Sequence, residues 1–252
     1  MTAHEHLRQV LAGHELTEQE LQRVQSIRDA LHKHLAETLP AGVRIYYGGS
    51  YAKGTMIRDH YDLDIVVYFP PEPRTPLDRI FGAVHQALVA GRLEVHPQTV
   101  ALRIPVTSSF HVDVVPGRAH DASFRYATLY RNLQPPSTLQ TSLKVHIEAV
   151  RTARLAPCIR LLKLWRLRHG VPLKTFALEI LAARALEGKP RDDHAVAMIE
   201  TLRFIAAQVN SVLLQDPANT NNRLDLTRED RSAAARAATM SLAASRWDEI
   251  LR

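Results

Sequence analysis

Apolar residues recur at helical spacing over residues 17–39 and form one continuous stripe. The stripe consists of Leu21, Val24, Ile27, Leu31 and Leu35. An apolar residue at every third or fourth position predicts an amphipathic helix, here about 30 Å long. Thr17 and Glu20 have the spacing of a capping box at its start, and Pro40 ends it.

Beyond residue 40 the pattern changes to short runs that are rich in β-branched and aromatic residues. Runs of this kind are typical of strands. We predict strands at Val43–Tyr47, Leu63–Phe69, Thr99–Val106 and Phe110–Val115. Residues 76–90 fit a helix between the second and third strands, so the first half should contain a mixed sheet with helices.

Pro135 and Pro136 interrupt the pattern within residues 132–137, and the chain beyond them has helical spacing. The predicted helices cover residues 141–154, 158–169, 176–187, 192–214 and 228–251. This order predicts an α+β fold with two lobes. Residues 1–135 would form a mixed β-sheet lobe with an N-terminal bracing helix, and residues 136–252 an all-helical lobe.

The composition is that of a globular protein, with 46% hydrophobic and 23% charged residues. The 32 Lys and Arg outnumber the 26 Asp and Glu, and this net charge of +6 is compatible with polyanionic ligands such as nucleotides or RNA. The single cysteine, Cys158, excludes an intramolecular disulfide and a cysteine-built zinc site. The charged N-terminus and the lack of a long apolar run predict no signal peptide and no membrane span, and hence a cytoplasmic protein.

The first predicted strand leads directly into a glycine-rich segment, Gly48-Gly49-Ser50-Tyr51-Ala52-Lys53-Gly54-Thr55. Its glycines allow the backbone to approach a ligand closely, and a helix that starts here would direct N–H groups at an anion. The segment is therefore a candidate phosphate site in which Gly49 and Ser50 contact the ligand. It is not a Walker loop, because Lys53 precedes Gly54.

Three aspartates belong to the predicted strands near this segment. Strand alternation places Asp62 and Asp64 on one face, and Asp113 lies in a later apolar strand that could be their neighbour. Carboxylates side by side repel one another unless a cation lies between them. Three such oxygen ligands beside a phosphate site are what two-metal nucleotidyl transfer requires, with Mg²⁺ or Mn²⁺ as the ions.

The run Gly49-Ser50, followed after eleven residues by Asp62-Leu63-Asp64 and later by Asp113, resembles the motif of the polymerase-β nucleotidyltransferase superfamily. Residues 49–55 and 111–116 are most similar to one branch of it. That branch holds oligoadenylate synthetases, cyclic GMP-AMP synthase, archaeal CCA-adding enzymes and bacterial antiphage cyclic-oligonucleotide synthases. The resemblance implies a catalytic first lobe and a helical second lobe that closes the nucleotide cleft.

The same resemblance implies a role for each motif residue. Ser50 would contact phosphate, Asp62 and Asp64 would bind both metals, and Asp113 would complete one metal site and act on the attacking hydroxyl. In the helical half, residues 159–165 resemble the helix of that branch whose lysine, here Lys163, holds the triphosphate. From its apolar neighbours Ile159 and Leu167 alone, Lys163 could instead be a surface lysine that reaches water.

Three further residues have two interpretations each. Lys53 could contact phosphate or lie on the surface of its helix. Phe176 could stack on a base or belong to the core of its helical lobe. His111 shares a strand face with Asp113. It could orient that carboxylate without binding the metal itself, or it could have only a structural role.

Three functions are compatible with these motifs and this resemblance. The first is synthesis of a cyclic di- or oligonucleotide from ribonucleoside triphosphates, with ATP and/or GTP as substrates. The second is template-independent addition of nucleotides to tRNA or other RNA ends, although the chain leaves little length for an RNA-gripping domain. The third is a catalytically idle nucleotide-binding module. Base selectivity, linkage, ring size and oligomeric state do not follow from the sequence.

Overall fold

The computed structural model describes residues 1–108 and 110–251, and within these it contains ten helices and nine strands. The helices are α1 (Ala3–Gly13), α2 (Glu18–Thr38), α3 (Gly49–Lys53), α4 (Leu77–Ala90), α5 (Leu143–Arg151), α6 (Ala156–His169), α7 (Thr175–Ala185), α8 (His194–Gln208), α9 (Arg228–Ala243) and α10 (Trp247–Leu251). The strands are β1 (Arg44–Tyr47), β2 (Leu63–Phe69), β3 (His96–Pro97), β4 (Leu102–Pro105), β5 (His111–Ala119), β6 (Ala127–Arg131), β7 (Ser137–Thr141), β8 (Gln215–Asp216) and β9 (Asn219–Arg223).

The central sheet is mixed, with the strand order β1-β2-β5-β4-β3 and with β6 and β7 attached beside β5. Only β2 and β5 run parallel among the pairs of this sheet in the described part of the chain. A parallel pair needs a long crossover, which here includes α4, β3 and β4. The crossover brings the beginnings of β2 and β5 side by side.

The two faces of β2 have different surroundings because successive side chains point to opposite sides. Leu63, Ile65 and Val67 are fully buried in the main core, which also receives residues of α2 and α4. Val66 and Tyr68 belong to a smaller cluster on the other face. Burial there raises the pKa of Tyr68 to about 12. Asp64 shares this second face by alternation.

Helix α2 begins where the sequence predicts. The Thr17 hydroxyl accepts a hydrogen bond from the Glu20 backbone N–H at 3.2 Å, and the Glu20 carboxylate accepts one from the Thr17 N–H at 2.7 Å. The predicted stripe is only partly buried, because Leu21 is 40% exposed whereas Val24, Leu31 and Leu35 are buried.

The chain divides into two compact units. One comprises residues 16–147 and contains the whole central sheet, and the other comprises residues 1–15 and the chain from residue 148 onward. The predicted boundary at residue 135 lies instead in the turn between β6 and β7, within the first unit. The functional roles assigned to the two parts stay predictions.

The mixed α+β fold is confirmed, and several elements differ from those predicted. The predicted strand at 99–106 is shorter, whereas the one at 110–115 extends to Ala119. Helix α1, the hairpin β6-β7 and the small sheet β8-β9 were not predicted, so the second half is not entirely helical. The helix predicted over residues 228–251 is two helices, α9 and α10. Across residues 1–108 and 110–251, none of the helices combines the length and apolarity that a bilayer crossing needs.

Candidate active site

The glycine-rich segment lies against the start of β2. The Gly48 N–H donates a hydrogen bond to the Asp64 carbonyl oxygen at 2.8 Å, and Gly49 follows with a φ of +52°. A Cβ atom at Gly49 would stand 1.6 Å from Oδ2 of Asp64. Only glycine fits at this position, because the backbone conformation and the contact with the carboxylate both exclude a side chain.

Helix α3 is a single short turn of five residues, Gly49–Lys53, and it ends at Gly54 with a φ of +69°. Ser50 is buried in this turn, and its Oγ donates a hydrogen bond to Oδ1 of Asp62 at 3.4 Å. That distance is long for a hydroxyl donor, so the bond is weak. Ser50 and Asp62 are nevertheless brought together as the sequence predicts.

Helix α2 supports the segment from outside. The Arg28 guanidinium donates from Nη1 to the Tyr51 hydroxyl at 2.6 Å, and its centre lies 5.4 Å from the centroid of the Tyr47 ring. His32 Nδ1 lies 2.8 Å from the Tyr47 hydroxyl. These contacts join α2 to Tyr47 on β1 and to Tyr51, which follows Ser50 in α3, and no local sequence pattern predicts them.

Asp64 and Asp113 are in register across the parallel strands β2 and β5. Adjacent strands are about 4.8 Å apart, so these two carboxylates leave the same face of the sheet as direct neighbours. Asp62 immediately precedes β2 and is not itself a strand residue. The three predicted aspartates therefore converge at the paired beginnings of two strands.

Arg103 completes this row of residues. It is opposite Asp113 in the antiparallel pair of β4 and β5. Its Nε donates to Oδ1 of Asp113 at 2.9 Å, and its Nη2 donates to Oδ2 at 2.8 Å. Hydrogen bonding to Asp113 raises the pKa of Arg103, and although burial opposes this, the negative charges of Asp62 and Asp64 add to it.

His111 occupies the space between two of the carboxylates. Its Nε2 lies 3.6 Å from Oδ2 of Asp113 and 4.0 Å from Oδ2 of Asp62. This nitrogen is buried, and no group of residues 1–108 or 110–251 lies within normal hydrogen-bond distance of it. The histidine thus adjoins Asp113 as its place on the strand suggests, and it also reaches Asp62.

Donors for a metal ion are present but not preassembled. Among residues 1–108 and 110–251, no three His, Cys, Asp or Glu side chains already stand in an arrangement that could hold a metal ion. Both carboxylate oxygens of Asp113 are engaged by Arg103.

Three predicted residues remain. Lys53 is buried at the end of α3, not on the helix surface. Lys163 is 4% exposed in α6, which argues against a solvent-reaching surface lysine. Phe176 is partly buried in the first turn of α7. Lys163 and Phe176 belong to the other compact unit, and their ligand contacts stay predictions.

Residues 27–122 match the family model of the nucleotidyltransferase domain. The chain is also 27% identical over 172 residues to the cyclic AMP-AMP-AMP synthase of Escherichia coli (strain MS 115-1). This alignment covers 57% of the chain and spans half the length of that relative.

Solved structures share the fold over most of the chain. The CD-NTase CdnG of Bradyrhizobium diazoefficiens, in complex with GTP, is similar with a TM-score of 0.77 and 15% identity, covering 96% of this chain and 91% of that one. The Cid1 poly(U) polymerase, bound to MgATP, is similar with a TM-score of 0.74 and 13% identity, covering 99% and 98%. At these identities the likeness concerns the fold.

The matched region contains the glycine-rich segment and all three aspartates, so the motif lies within the part of the chain that the family model covers. The predicted superfamily and enzyme class are confirmed. Residues 27–122 thus have the sequence of a nucleotidyltransferase domain, and the chain shares the fold of the CD-NTase CdnG.

Proposed function

We propose that this enzyme joins ribonucleoside triphosphates into a cyclic di- or oligonucleotide and releases pyrophosphate. The observation that carries the proposal is the register of Asp64 and Asp113 beside Gly49 and Ser50. The similarity to a cyclic AMP-AMP-AMP synthase and to the fold of a CD-NTase supports a cyclic product. The antiphage role of such products is a prediction from the resemblance.

The donor set fits a hard divalent cation. Asp62, Asp64 and Asp113 supply carboxylate oxygens, which Mg²⁺ and Mn²⁺ prefer, and their mutual repulsion favours a cation between them. When bound, such ions would neutralise the triphosphate and make a ribose hydroxyl easier to deprotonate. Asp62 just before β2, Asp64 on β2 and Asp113 on β5 would hold them.

The chain's own groups would then act on the two nucleotides. Gly49 lets the backbone lie close to the phosphates, and Ser50 donates its hydroxyl hydrogen bond to a phosphate oxygen in place of Asp62. A ribose hydroxyl oxygen of one nucleotide bonds to the α-phosphorus of the next. The bond from that phosphorus to the β-phosphate oxygen breaks, pyrophosphate leaves with the electron pair, and Asp113 accepts the hydroxyl proton.

Closing the ring repeats this step within one linear product. The proposed substrates are ATP and/or GTP, because the similar CdnG structure binds GTP and the relative is named for an AMP-containing product. Lys163 would hold the triphosphate, and Phe176 would stack on a base. Lys53 would contact phosphate only if its buried position leaves the ammonium within reach.

Mass spectrometry of reactions with all four ribonucleotides and Mg²⁺ or Mn²⁺ tests this proposal. We expect a cyclic product whose mass lacks one pyrophosphate for every nucleotide joined. The Asp62→Asn/Asp64→Asn variant is the control and should form none. If the wild type gives no phosphodiester product under any of these metal and nucleotide conditions, the proposed function is wrong.

A second candidate function is nucleotide addition to RNA ends. The similar Cid1 structure is that of a poly(U) polymerase, and the match extends over nearly the whole of both chains. Incubation of a labelled RNA oligonucleotide with each ribonucleotide distinguishes the two. Stepwise lengthening of the RNA without a cyclic product would favour this second function.

A further inference from the structure

Both carboxylate oxygens of Asp113 are occupied by Arg103. Arg103 donates to Oδ1 at 2.9 Å and to Oδ2 at 2.8 Å. The Asp113 side chain is 13% exposed, whereas that of Arg103 is 41% exposed. The carboxylate is therefore fixed in place, while the arginine extends to it from a position open to solvent.

These same oxygens are the ones that a cation would need. A two-pronged pair between a guanidinium and a carboxylate is among the stronger hydrogen-bonded ion pairs. A divalent cation on either oxygen would also stand within a few ångströms of the guanidinium and be repelled by it. Arg103 and a cation therefore compete for Asp113.

In the nucleotide-free protein, the ion pair of Arg103 and Asp113 reduces the repulsion among the neighbouring carboxylates. Asp62, Asp64 and Asp113 converge at one edge, and Arg103 offsets one of their negative charges. Once a cation supplies that positive charge, the guanidinium is no longer needed there. Its exposed side chain can then leave without opening the core.

We propose that Arg103 is an internal counter-ion that excludes the divalent cation from Asp113 until at least one of its two hydrogen bonds is released. This inference rests on the proposed metal-dependent function. Arg103 would thereby control when the Asp113 carboxylate joins the metal site. Because it acts through Asp113, Arg103 is a positioning residue.

The test measures Mn²⁺ binding to the nucleotide-free chain of 252 residues by electron paramagnetic resonance of the free ion. Arg103→Gln should bind Mn²⁺ about tenfold more tightly than the wild type, because the two-pronged ion pair no longer occupies the Asp113 oxygens. Arg103→Lys should lie between them, since lysine keeps the charge but not the two-pronged geometry.

Two further variants locate the effect. Asp113→Asn and Arg103→Gln/Asp113→Asn should have equal Mn²⁺ affinity, because the proposed competition requires the carboxylate. Arg118→Gln is the matched control: Arg118 also lies on β5, but on the opposite face, where it donates to the Thr75 carbonyl oxygen at 2.6 Å. It should bind Mn²⁺ as the wild type does.

Unchanged or weaker Mn²⁺ binding by Arg103→Gln would overturn the inference, and so would a failure of both proteins to bind the ion. Should Arg103→Gln not fold, the comparison of Arg103→Lys with the wild type decides by the same criteria. The product assay is independent of this result. A wild type that makes product while Arg103→Gln binds Mn²⁺ no more tightly would refute the role of Arg103 and leave the proposed function intact.

Discussion

Asp64 on β2 and Asp113 on β5 are direct neighbours on the same face of the central sheet. Their strands form the one parallel pair of that sheet within the described residues. Two like charges in register on adjacent strands destabilise a sheet, by roughly 0.2–1 kcal/mol for exposed pairs. The fold therefore retains an unfavourable pair at the place where the proposed chemistry needs it.

Asp64→Asn should make the metal-free protein slightly more stable and the enzyme inactive. Removing the repulsion should raise the unfolding temperature by about 1–4 °C. Activity should fall at least ~10²-fold, because a cation ligand is lost. Thermal unfolding with and without Mn²⁺ measures both effects. The stabilisation that Mn²⁺ should give the wild type should be largely absent from the variant. A variant that Mn²⁺ still stabilises fully would contradict the role of Asp64.

Gly49→Ala should abolish activity, whereas Gly54→Ala should not. Both glycines have positive φ, so the backbone conformation alone should cost each variant about 1–2 kcal/mol in unfolding free energy, with a further cost at Gly49 from the collision. The two positions differ in the room available for a side chain. A new Cβ at Gly49 would collide with Asp64, whereas one at Gly54 would have no described neighbour within 4 Å. Turnover and urea unfolding of the two variants separate these effects. Equal activity in both would mean that the contact between Gly49 and Asp64 is not required.

Much of this site could be predicted because its signals are local. Gly49, Ser50, Asp62 and Asp64 lie within one short stretch, and strand alternation alone assigns the last two to one face. Asp113 could be added because it interrupts an apolar run in another predicted strand.

Arg103 could not be predicted in the same way. Its partner is fixed by the register of β4 against β5, and nothing in the local sequence sets that register. The only available signal was a charged residue between Leu102 and Ile104, both of which are buried. The cluster of Arg28 with Tyr47 and Tyr51 was missed for the same reason, since it joins distant elements.

The elements that were missed have weak patterns. Helix α1 buries only Leu7 and Leu11, so its apolar stripe is too short to stand out. The hairpin β6-β7 surrounds Pro135 and Pro136, which resembled a boundary between lobes rather than a turn. Most of β7 is exposed and polar, and a strand of that kind carries no alternating signal.

Cys158 should be inert to thiol reagents in the native protein. It is 4% exposed, and burial raises its pKa to about 11, although hydrogen bonding with Thr201 opposes this. At ~pH 8 only about one thiol in a thousand would be ionised, against roughly a quarter for an ordinary cysteine. A chromogenic disulfide reagent should react fully in denaturant and at least ~10²-fold more slowly without it. Rapid labelling of the native protein would show that the structure around Cys158 in α6 opens readily.

The contact of α1 with α8 should weaken as the pH falls. The rings of His4 and His194 lie 4.6 Å apart, and the His194 backbone N–H donates to His4 Nδ1 at 3.1 Å. Desolvation, with the positive charges of His4 and Arg8, lowers the pKa of His194. A histidine with a lowered pKa in the folded state binds its proton more readily when unfolded. The contribution of His194 to stability is therefore complete above about pH 6.5. It declines as the pH falls from there towards the pKa of His194 in the folded protein.

Urea unfolding of the wild type and of His194→Gln at ~pH 8 and ~pH 5.5 checks this dependence. The wild type should lose more stability on acidification than the variant, because glutamine does not titrate. His4→Gln should also reduce the loss, since it removes the neighbouring charge and the ring that accepts from His194. If His194→Gln loses as much stability as the wild type, other groups govern the acid sensitivity and the histidine pair does not.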